Sequence, residues 1–403
     1  MTAALLLSLG CSKQPSAPIP AIPLADLIVS PVVDTVRVNE QHGFTATALD
    51  SSGATVASAP LHWTSSNPGI LTVDFAGRAR GVSEGVALVF VSSGGLTDTA
   101  RVTVMPALSG WFLQLSQANG ANLNGVFFDA DGRTGWVAGD AGKLLKTTDA
   151  GATWTPLLSG TSFSLHGVCF TSASEGWAVG ANGTVLHTLD AGNNWTRVNA
   201  RASEFLMAVR FASRDTGWAV GSAGVILRTY DRGVTWQKRY PTTSTLRGLA
   251  FAGTRDGWAV GDGGVVVGTH DRGQSWFTVT PGSTVQSLHA VWRRSEPLAW
   301  AAGSQGVAPR TRSGPDSTAW ELQNAGASNQ LEGICFPTDA IGYVVGLRDV
   351  GAVLRTDDGG VTWQTQVSGT TFRLDAVFFV DDRRGWAVGD NGTIIHTGTG
   401  GLP

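Results

Sequence analysis

An all-β chain, a β-sandwich followed by a circular array of four-stranded sheets, is predicted by three features of the sequence. The first is a repeat. Gly-Trp-Ala-Val-Gly or a close variant recurs at Trp136, Trp177, Trp218, Trp258, Trp300, Tyr343 and Trp386, at intervals of about 40 residues, the length of one propeller blade. The second is a companion Trp that alternates with it, at Trp154, Trp195, Trp236, Trp276, Trp320 and Trp363. The seventh companion is Trp111, which precedes the first repeat instead of following the last. The third is composition. The chain has 53 Gly and 15 Trp, with 42% hydrophobic and only 15% charged residues, which suits short apolar strands joined by tight turns.

Residues 1–11 read as a processing signal. Ala3 to Leu9 form a short apolar run that ends at Gly10-Cys11. The run resembles a bacterial lipoprotein signal, which implies lipidation of Cys11, with simple secretion as the alternative. No segment approaches the ~20 apolar residues of a spanning helix, so membrane contact is expected only through the anchor. The chain is expected in the cell envelope, periplasmic or on the outer surface, or secreted. Residues 12–25 carry Pro15, Pro18, Pro20 and Pro23, the composition of an extended tether.

Residues 26–106 form a separate unit. Apolar residues alternate in Leu27–Val29, Thr35–Val38, Phe44–Ala48, Leu61–Thr64, Leu71–Val73, Val86–Val91 and Ala100–Val104, with Gly, Asn, Pro and Ser between them. About seven short strands in such a span are the pattern of a β-sandwich. Trp63-Thr-Ser-Ser-Asn-Pro68, Val73-Asp74, Gly77, Gly81 and Gly85 make this unit similar to the bacterial immunoglobulin-like group 2 family. That resemblance implies a spacer or adhesion module, with Trp63 as its core aromatic.

Residues 107–403 carry the repeats. A typical one runs Leu165–Phe170, Gly176–Gly180, Gly183–Thr188 and then Asp190, Gly192 and Trp195. Each gives four strands, and one such sheet cannot bury both faces alone, so the sheets must stack about an axis. Trp111-Phe-Leu-Gln-Leu aligns with the segment that starts at Trp154, while the seventh repeat stops after Thr397 without its fourth strand. Pairing these fragments would remove both open edges and close a seven-bladed β-propeller. Asp-box turns, Ser/Thr-x-Asp-x-Gly-x-Thr/Ser-Trp, occupy Thr147–Trp154, Thr229–Trp236, Thr269–Trp276 and Thr356–Trp363; Thr188–Trp195 fits except at Asn194. Their Asp residues are read as turn caps, Gly as the positive-φ position and Trp as packing. The fifth repeat departs from the pattern at Ala299 and in a longer turn between Thr311 and Trp320.

The run Gly-Trp-Ala-Val-Gly-x-x-Gly, followed by two apolar residues and an Asp-box, resembles the photosystem II stability/assembly factor family. The resemblance covers residues 109–397 and implies a non-enzymatic protein that binds a membrane protein during assembly.

Two residue rings are candidate sites. The position after the first Leu of each innermost strand holds Asn124, His166, Met207, Arg247, His289, Glu332 and Asp375, polar in six of seven cases. These should face the mouth of the central channel, either as a wet, mutually satisfied lining or as a ligand or partner site. Just before each Asp-box Thr lie Lys146, His187, Arg228, Gly268, Arg310, Arg355 and His396. These are read as stems packed on the sheet or as a basic patch for an acidic partner.

His166, His289, Glu332 and Asp375 lack local ligand spacing, so neither metal nor other cofactor is expected. Cys169 and Cys335 fall in one slot of distant repeats, so no disulfide is expected. A net charge of −3 gives no reason to expect nucleic acid. A monomer that binds an envelope protein or surface glycan is the leading expectation. A sialidase-like glycoside hydrolase is the alternative, built on Tyr240 with Glu204 and Arg201.

Overall fold

The computed structural model describes residues 23–38, 40–105, 110–279, 286–294, 298–311, 320–326, 330–347 and 351–402. Cys11, the rest of the signal run and residues 12–22 lie outside the described residues. The chain divides into two compact units, residues 1–107 and 108–403. No described helix is long and apolar enough to cross a membrane.

The first unit is all β, with nine described strands instead of about seven. Val33–Arg37, Leu96–Met105, Gly85–Ser93 and His62–Ser65 form one sheet in that order; Gln41–Gly43, Arg78–Gly81 and Leu71–Val73 form a second. Asp26–Ser30 pairs with Thr45–Leu49. In Gly85–Ser93, Ala87, Val89 and Val91 are buried, as a strand with one face on a core requires. They join Leu27, Val36, Phe44, Leu71 and Val102, with Trp63 packed part-buried against the cluster. Gly77 makes that approach possible: its φ is +77°, and a Cβ there would lie 3.0 Å from the Trp63 ring.

The second unit holds seven four-stranded sheets among the described residues, an arrangement consistent with a β-propeller. Sheet one is Leu123–Phe128, Gly135–Gly139, Leu144–Thr147 and Thr155–Leu157, each strand antiparallel to the next. Sheets two to six repeat this order from first strands at Leu165–Phe170, Leu206–Phe211, Leu246–Ala252, Leu288–Arg293 and Gln330–Cys335. Sheet seven takes three strands from Leu374–Phe379, Gly385–Gly389 and Ile394–Thr397, and its fourth from Phe112–Gln114. Phe112 stands opposite His396 and Gln114 opposite Ile394. Each first strand touches the next, and the first strand of sheet seven touches that of sheet one.

Aromatic stacking joins neighbouring sheets. Trp136 stacks on Phe170, Trp177 on Phe211 and Trp218 on Phe251, with centroids 3.6–3.7 Å apart. Trp300 on Phe336 and Tyr343 on Phe379 continue the series, and Trp386 on Phe128 carries it from sheet seven to sheet one at 3.6 Å. Offset stacking adds to the large apolar area these rings bury.

The junction of sheets four and five is different. Arg293 takes the position of the stacking Phe, Gly268 replaces the basic residue opposite Trp258, and Phe277 and Trp320 meet Trp258 edge-on. A Cβ on Gly268 would stand 2.6 Å from both Phe277 and Trp258, so glycine makes room for the displaced ring.

The Asp-box residues cap turns. Thr229 Oγ1 donates to Asp231 Oδ1 at 2.8 Å and accepts from Gly233 N at 2.9 Å; Asp231 accepts from Thr235 N and Oγ1 at 2.9 and 2.6 Å. Asn194 substitutes for Thr without loss, donating to Asp190 Oδ2 at 2.7 Å. Sheet seven keeps the turn without an Asp, because Thr397 Oγ1 still accepts from Gly401 N at 2.8 Å. The irregular turn of sheet five lies mostly in 312–319, outside the described residues.

Candidate functional site

The first strands gather at their Leu ends because the third residue of each is small. Gly125, Gly167, Ala208, Gly248, Ala290, Gly333 and Ala376 occupy this position. A Cβ on Gly125 would stand 2.9 Å from His166 O, and one on Gly248 2.9 Å from Ala290 Cα. The strands therefore nearly touch below the second residue, and the second-position side chains form a layer above this narrowing.

That layer is connected across sheets. Asn124 Nδ2 donates to Asp140 Oδ1 and to Leu165 O in the next sheet, both at 3.0 Å. Arg247 Nε pairs with Asp262 Oδ1 at 2.5 Å. His289 lies with Nδ1 2.8 Å from Glu332 Oε2 and Nε2 3.3 Å from Ser304 Oγ. Arg373 then bridges Glu332 at 3.9 Å, Asp375 at 3.0 Å and Asp390 at 3.4 Å. Sheets five, six and seven thus share one chain of groups, His289–Glu332–Arg373–Asp375/Asp390.

Its electrostatics are uneven. Burial raises the Asp375 carboxyl to about 7; Arg373 opposes this, while Asp390, Glu332 and Asp140 reinforce it. Burial also acts on Glu332, but the neighbouring His289 and Arg373 hold it below its ordinary value. Burial pushes His166 down against the pull of Asp140. The layer offers both charged donors and carboxylate acceptors to a ligand. Among the described residues no group of His, Cys, Asp or Glu is placed to hold a metal ion.

Asp140, Asp262, Ser304, Asp390 and Arg373 were not singled out from the sequence. The first four follow the last Gly of Gly-Trp-Ala-Val-Gly or its variant, and Arg373 precedes the first-strand Leu374. Both positions border the motif, and that register was the signal available.

The basic ring lies on the third strands, opposite the repeated Trp residues. His187 and His396 stack on Trp177 and Trp386 at 4.7 and 4.6 Å. Lys146 lies 5.8 Å from the Trp136 centroid and Arg355 5.6 Å from that of Tyr343. Arg228 covers Tyr230 at 4.2 Å and donates to Gln237 at 3.1 Å. Arg310 donates to Gly359 O at 3.2 Å; Arg355 donates to Gly400 O at 3.0 Å and to Asp357 at 2.7 Å. Their stems pack on aromatic faces, and most of their heads have partners within the unit.

Tyr240 and Glu204 do meet, with Tyr240 Oη donating to Glu204 Oε1 at 2.5 Å and Lys238 Nζ 3.2 Å from the same carboxylate. Burial opposes it, yet the Tyr240 bond, the backbone N–H groups of Glu204 and Ser203 and, least, Lys238 bring Glu204 down to about 2. The bond to Glu204 raises the Tyr240 phenol. A weak base beside a phenol that resists ionisation is the reverse of an activated nucleophile. Cys169 and Cys335 are free, buried thiols.

Three solved structures share the fold. YCF48 bound to a D1 peptide is 24% identical, with a TM-score of 0.61, over 73% of this chain and 97% of its own. YCF48 from Cyanidioschyzon merolae is 19% identical, with a TM-score of 0.59, over 72% and 98%. Virginiamycin B lyase from Staphylococcus aureus is 12% identical, with a TM-score of 0.61, over 71% and 98%. A comparison with curated proteins finds no match. The profile of the photosynthesis system II assembly factor YCF48 matches residues 107–203, 199–286 and 313–402, and with the repeated sheets and Asp-box turns this match shows that the chain belongs to the YCF48 assembly-factor family.

Proposed function

We propose that this chain is a non-enzymatic binding scaffold of the cell envelope that presents the second-position layer of a closed seven-bladed propeller to a protein partner. The connected groups His289, Glu332, Arg373 and Asp375 carry this reading. They span three sheets and mix donors with acceptors, as polypeptide recognition requires. Family membership supports it, as does the relative bound to a D1 peptide. In the same reading residues 26–106 are an immunoglobulin-like spacer, and Cys11 is the lipidated anchor that keeps the ring near a membrane.

The test is binding by the purified chain to peptide arrays from envelope proteins, run beside glycan arrays. A peptide ligand lost in the triple variant His289→Ala, Glu332→Ala and Arg373→Ala supports the proposal. Undiminished binding by that variant overturns the site. Selective glycan binding that depends on these residues overturns the partner class. The sialidase-like alternative rests on the Tyr240–Glu204 contact, and turnover of fluorogenic sialosides abolished by Tyr240→Phe would establish it instead.

A further inference from the structure

The loops that join each fourth strand to the next first strand lie at the end of the sheets that carries the second-position layer. Three consecutive loops share a feature that neither the fold nor that layer uses. Four residues after the companion Trp they hold Val367 from sheet six, Leu115 from sheet seven and Leu158 from sheet one, and these side chains are 86%, 90% and 88% exposed. The loops from sheets one and six are built alike, as Leu158-Ser-Gly-Thr-Ser-Phe163 and Val367-Ser-Gly-Thr-Thr-Phe372, with φ of +72° at Gly160 and Gly369. In each the Ser is buried and its Oγ accepts from the Thr N–H, at 3.3 Å in one and 3.4 Å in the other. The Phe N–H donates to the Thr Oγ1 at 3.1 Å in both. In the loop from sheet seven, Ser116 bonds to Gly392 O and Ala118 is buried. The residue after each aliphatic one is thus held down, and the aliphatic one is held out. Phe163 and Phe372 add exposed rings to the same loops. Isolated exposed aliphatics are ordinary, but three at one register on neighbouring sheets form a ridge.

Charge is arranged around this ridge. In the five loops running from sheet six through sheet three, the one acidic residue is Glu204, which pairs with Lys238. Arg197, Arg201 and Arg239 are exposed in or beside these loops, and Arg197 and Arg201 line one hollow of about 320 Å³. The Arg197 guanidinium lies 5.9 Å from the Phe163 centroid, so the basic patch of sheets two and three adjoins the ridge. Among the described residues, the acids of the other turns at this end are Asp140, Asp262 and Asp390, which bond to Asn124, Arg247 and Arg373 around the inner layer. The Asp-box acids lie at the opposite end of the sheets.

We propose that this end of the second unit docks on an anionic lipid bilayer. Val367, Leu115 and Leu158 dip into the acyl boundary, and Arg197, Arg201 and Arg239 meet lipid phosphates. Side chains so exposed project from the surface, so a rigid partner would need a separate pocket for each, whereas a bilayer deforms around them. Apolar insertion and basic attraction to anionic headgroups reinforce each other at a membrane surface. The contact is made by the ring itself, separately from any anchor at Cys11, and does not depend on the second-position layer having a peptide ligand.

Flotation of the full chain carrying Cys11→Ser, which removes the acylation site, tests it on two kinds of vesicle: phosphatidylcholine alone, and phosphatidylcholine mixed equally with phosphatidylglycerol. Binding to the anionic vesicles is expected, and its absence overturns the proposal. Leu115→Ser, Leu158→Ser and Val367→Ser together should weaken it roughly tenfold or more, with the melting temperature unchanged; undiminished binding overturns the ridge. Arg201→Gln with Arg239→Gln should weaken binding to anionic vesicles roughly tenfold and leave any binding to neutral ones unchanged; an equal loss on both overturns the headgroup role. An environment-sensitive fluorophore on Leu158→Cys should brighten with vesicles, while one on Val234→Cys, exposed in an Asp-box turn at the opposite end, should not. Cys169 and Cys335, being buried, stay unlabelled. Equal responses mark non-specific adsorption and overturn the orientation. Should the triple variant fail to fold, this fluorophore pair decides. Dimerisation without vesicles that the triple variant abolishes would assign the ridge to a second copy and overturn the proposal.

Discussion

The two ends of the first strands share one backbone pattern and differ in everything their side chains do. At the second residue, six of seven side chains are polar; Asn124, His289 and Glu332 link across sheets, while Arg247 and Asp375 pair with charged groups of their own sheets. At the fifth, aromatic rings, thiols and a single arginine fill a drier layer. The residues that join neighbouring sheets repeat closely, the junction of sheets four and five excepted, because packing between sheets leaves them little freedom to vary. The fourth-position Val, Leu or Ile is buried between sheets, and the sixth-position Phe, replaced by Arg293 in sheet five, lies flat on the preceding sheet's Trp or Tyr. Residues facing the common centre are less tied to that repeated surface, although Phe127 meets Trp136 and Phe170. Their identities can change sheet by sheet without loss of the fold, so ligand chemistry can accumulate there.

This contrast can be broken by measurement. The largest effect is expected where the repeat is strict. Phe211→Ala, which empties the face of Trp177, should lower unfolding free energy in denaturant titration by about 3–5 kcal/mol. Met207→Ala, four residues earlier and facing the centre, should cost well under half as much. Equal losses would show that the centre carries the fold after all.

Next comes the exceptional junction. Gly268→Arg restores the basic residue opposite Trp258 but drives it into Phe277, and should destabilise by about 1–3 kcal/mol. Adding Phe277→Thr should recover most of that loss. A double-mutant cycle without coupling would mean that the exchange of Phe and cation around Trp258 is incidental. Asp231→Ala removes the acceptor of three bonds in one turn and should cost about 1–2 kcal/mol, again by denaturant titration.

The last test concerns protons. Asp375 has a folded-state value near 7 against an ordinary 3.8, so the folded state binds more protons than the unfolded chain between these values. Stability should therefore fall as pH rises from about 4 to about 7 and level off above. Asp375→Asn should flatten that slope in urea titrations run across the range. An unchanged slope would show that burial does not raise the Asp375 carboxyl.

Much of this was legible in the sequence, for identifiable reasons. The Trp136-to-Trp386 series marks one buried position per sheet, and Trp111 aligned with Trp154 was enough to expect Phe112–Gln114 beside Ile394–Thr397. The polar second position showed itself by breaking an apolar strand. Arg373 did not, because its partners Glu332 and Asp390 lie on a strand of the neighbouring sheet and in a turn 17 residues on, and such pairings leave no local pattern. Asp140, Asp262 and Asp390 look like ordinary turn residues beside glycine, which hid their aim toward the centre. In the first unit, Gln41–Gly43 and Arg78–Gly81 carry too few apolar residues to announce themselves as strands.

The seam between Phe112–Gln114 and Ile394–Thr397 has a consequence for biosynthesis. Phe112 emerges from the ribosome some 280 residues ahead of His396, its cross-strand neighbour. Joining ends so far apart carries a loop-closure penalty that grows only slowly with length, so distance itself is a small burden. Timing is the larger one. Until Thr397 is free, the segment around Trp111 must wait unpaired while six sheets assemble behind it. A chaperone that shields this early strand, or a pause that favours rapid release of the late one, would raise the yield of native protein more than any gain in the stability of the sheets between.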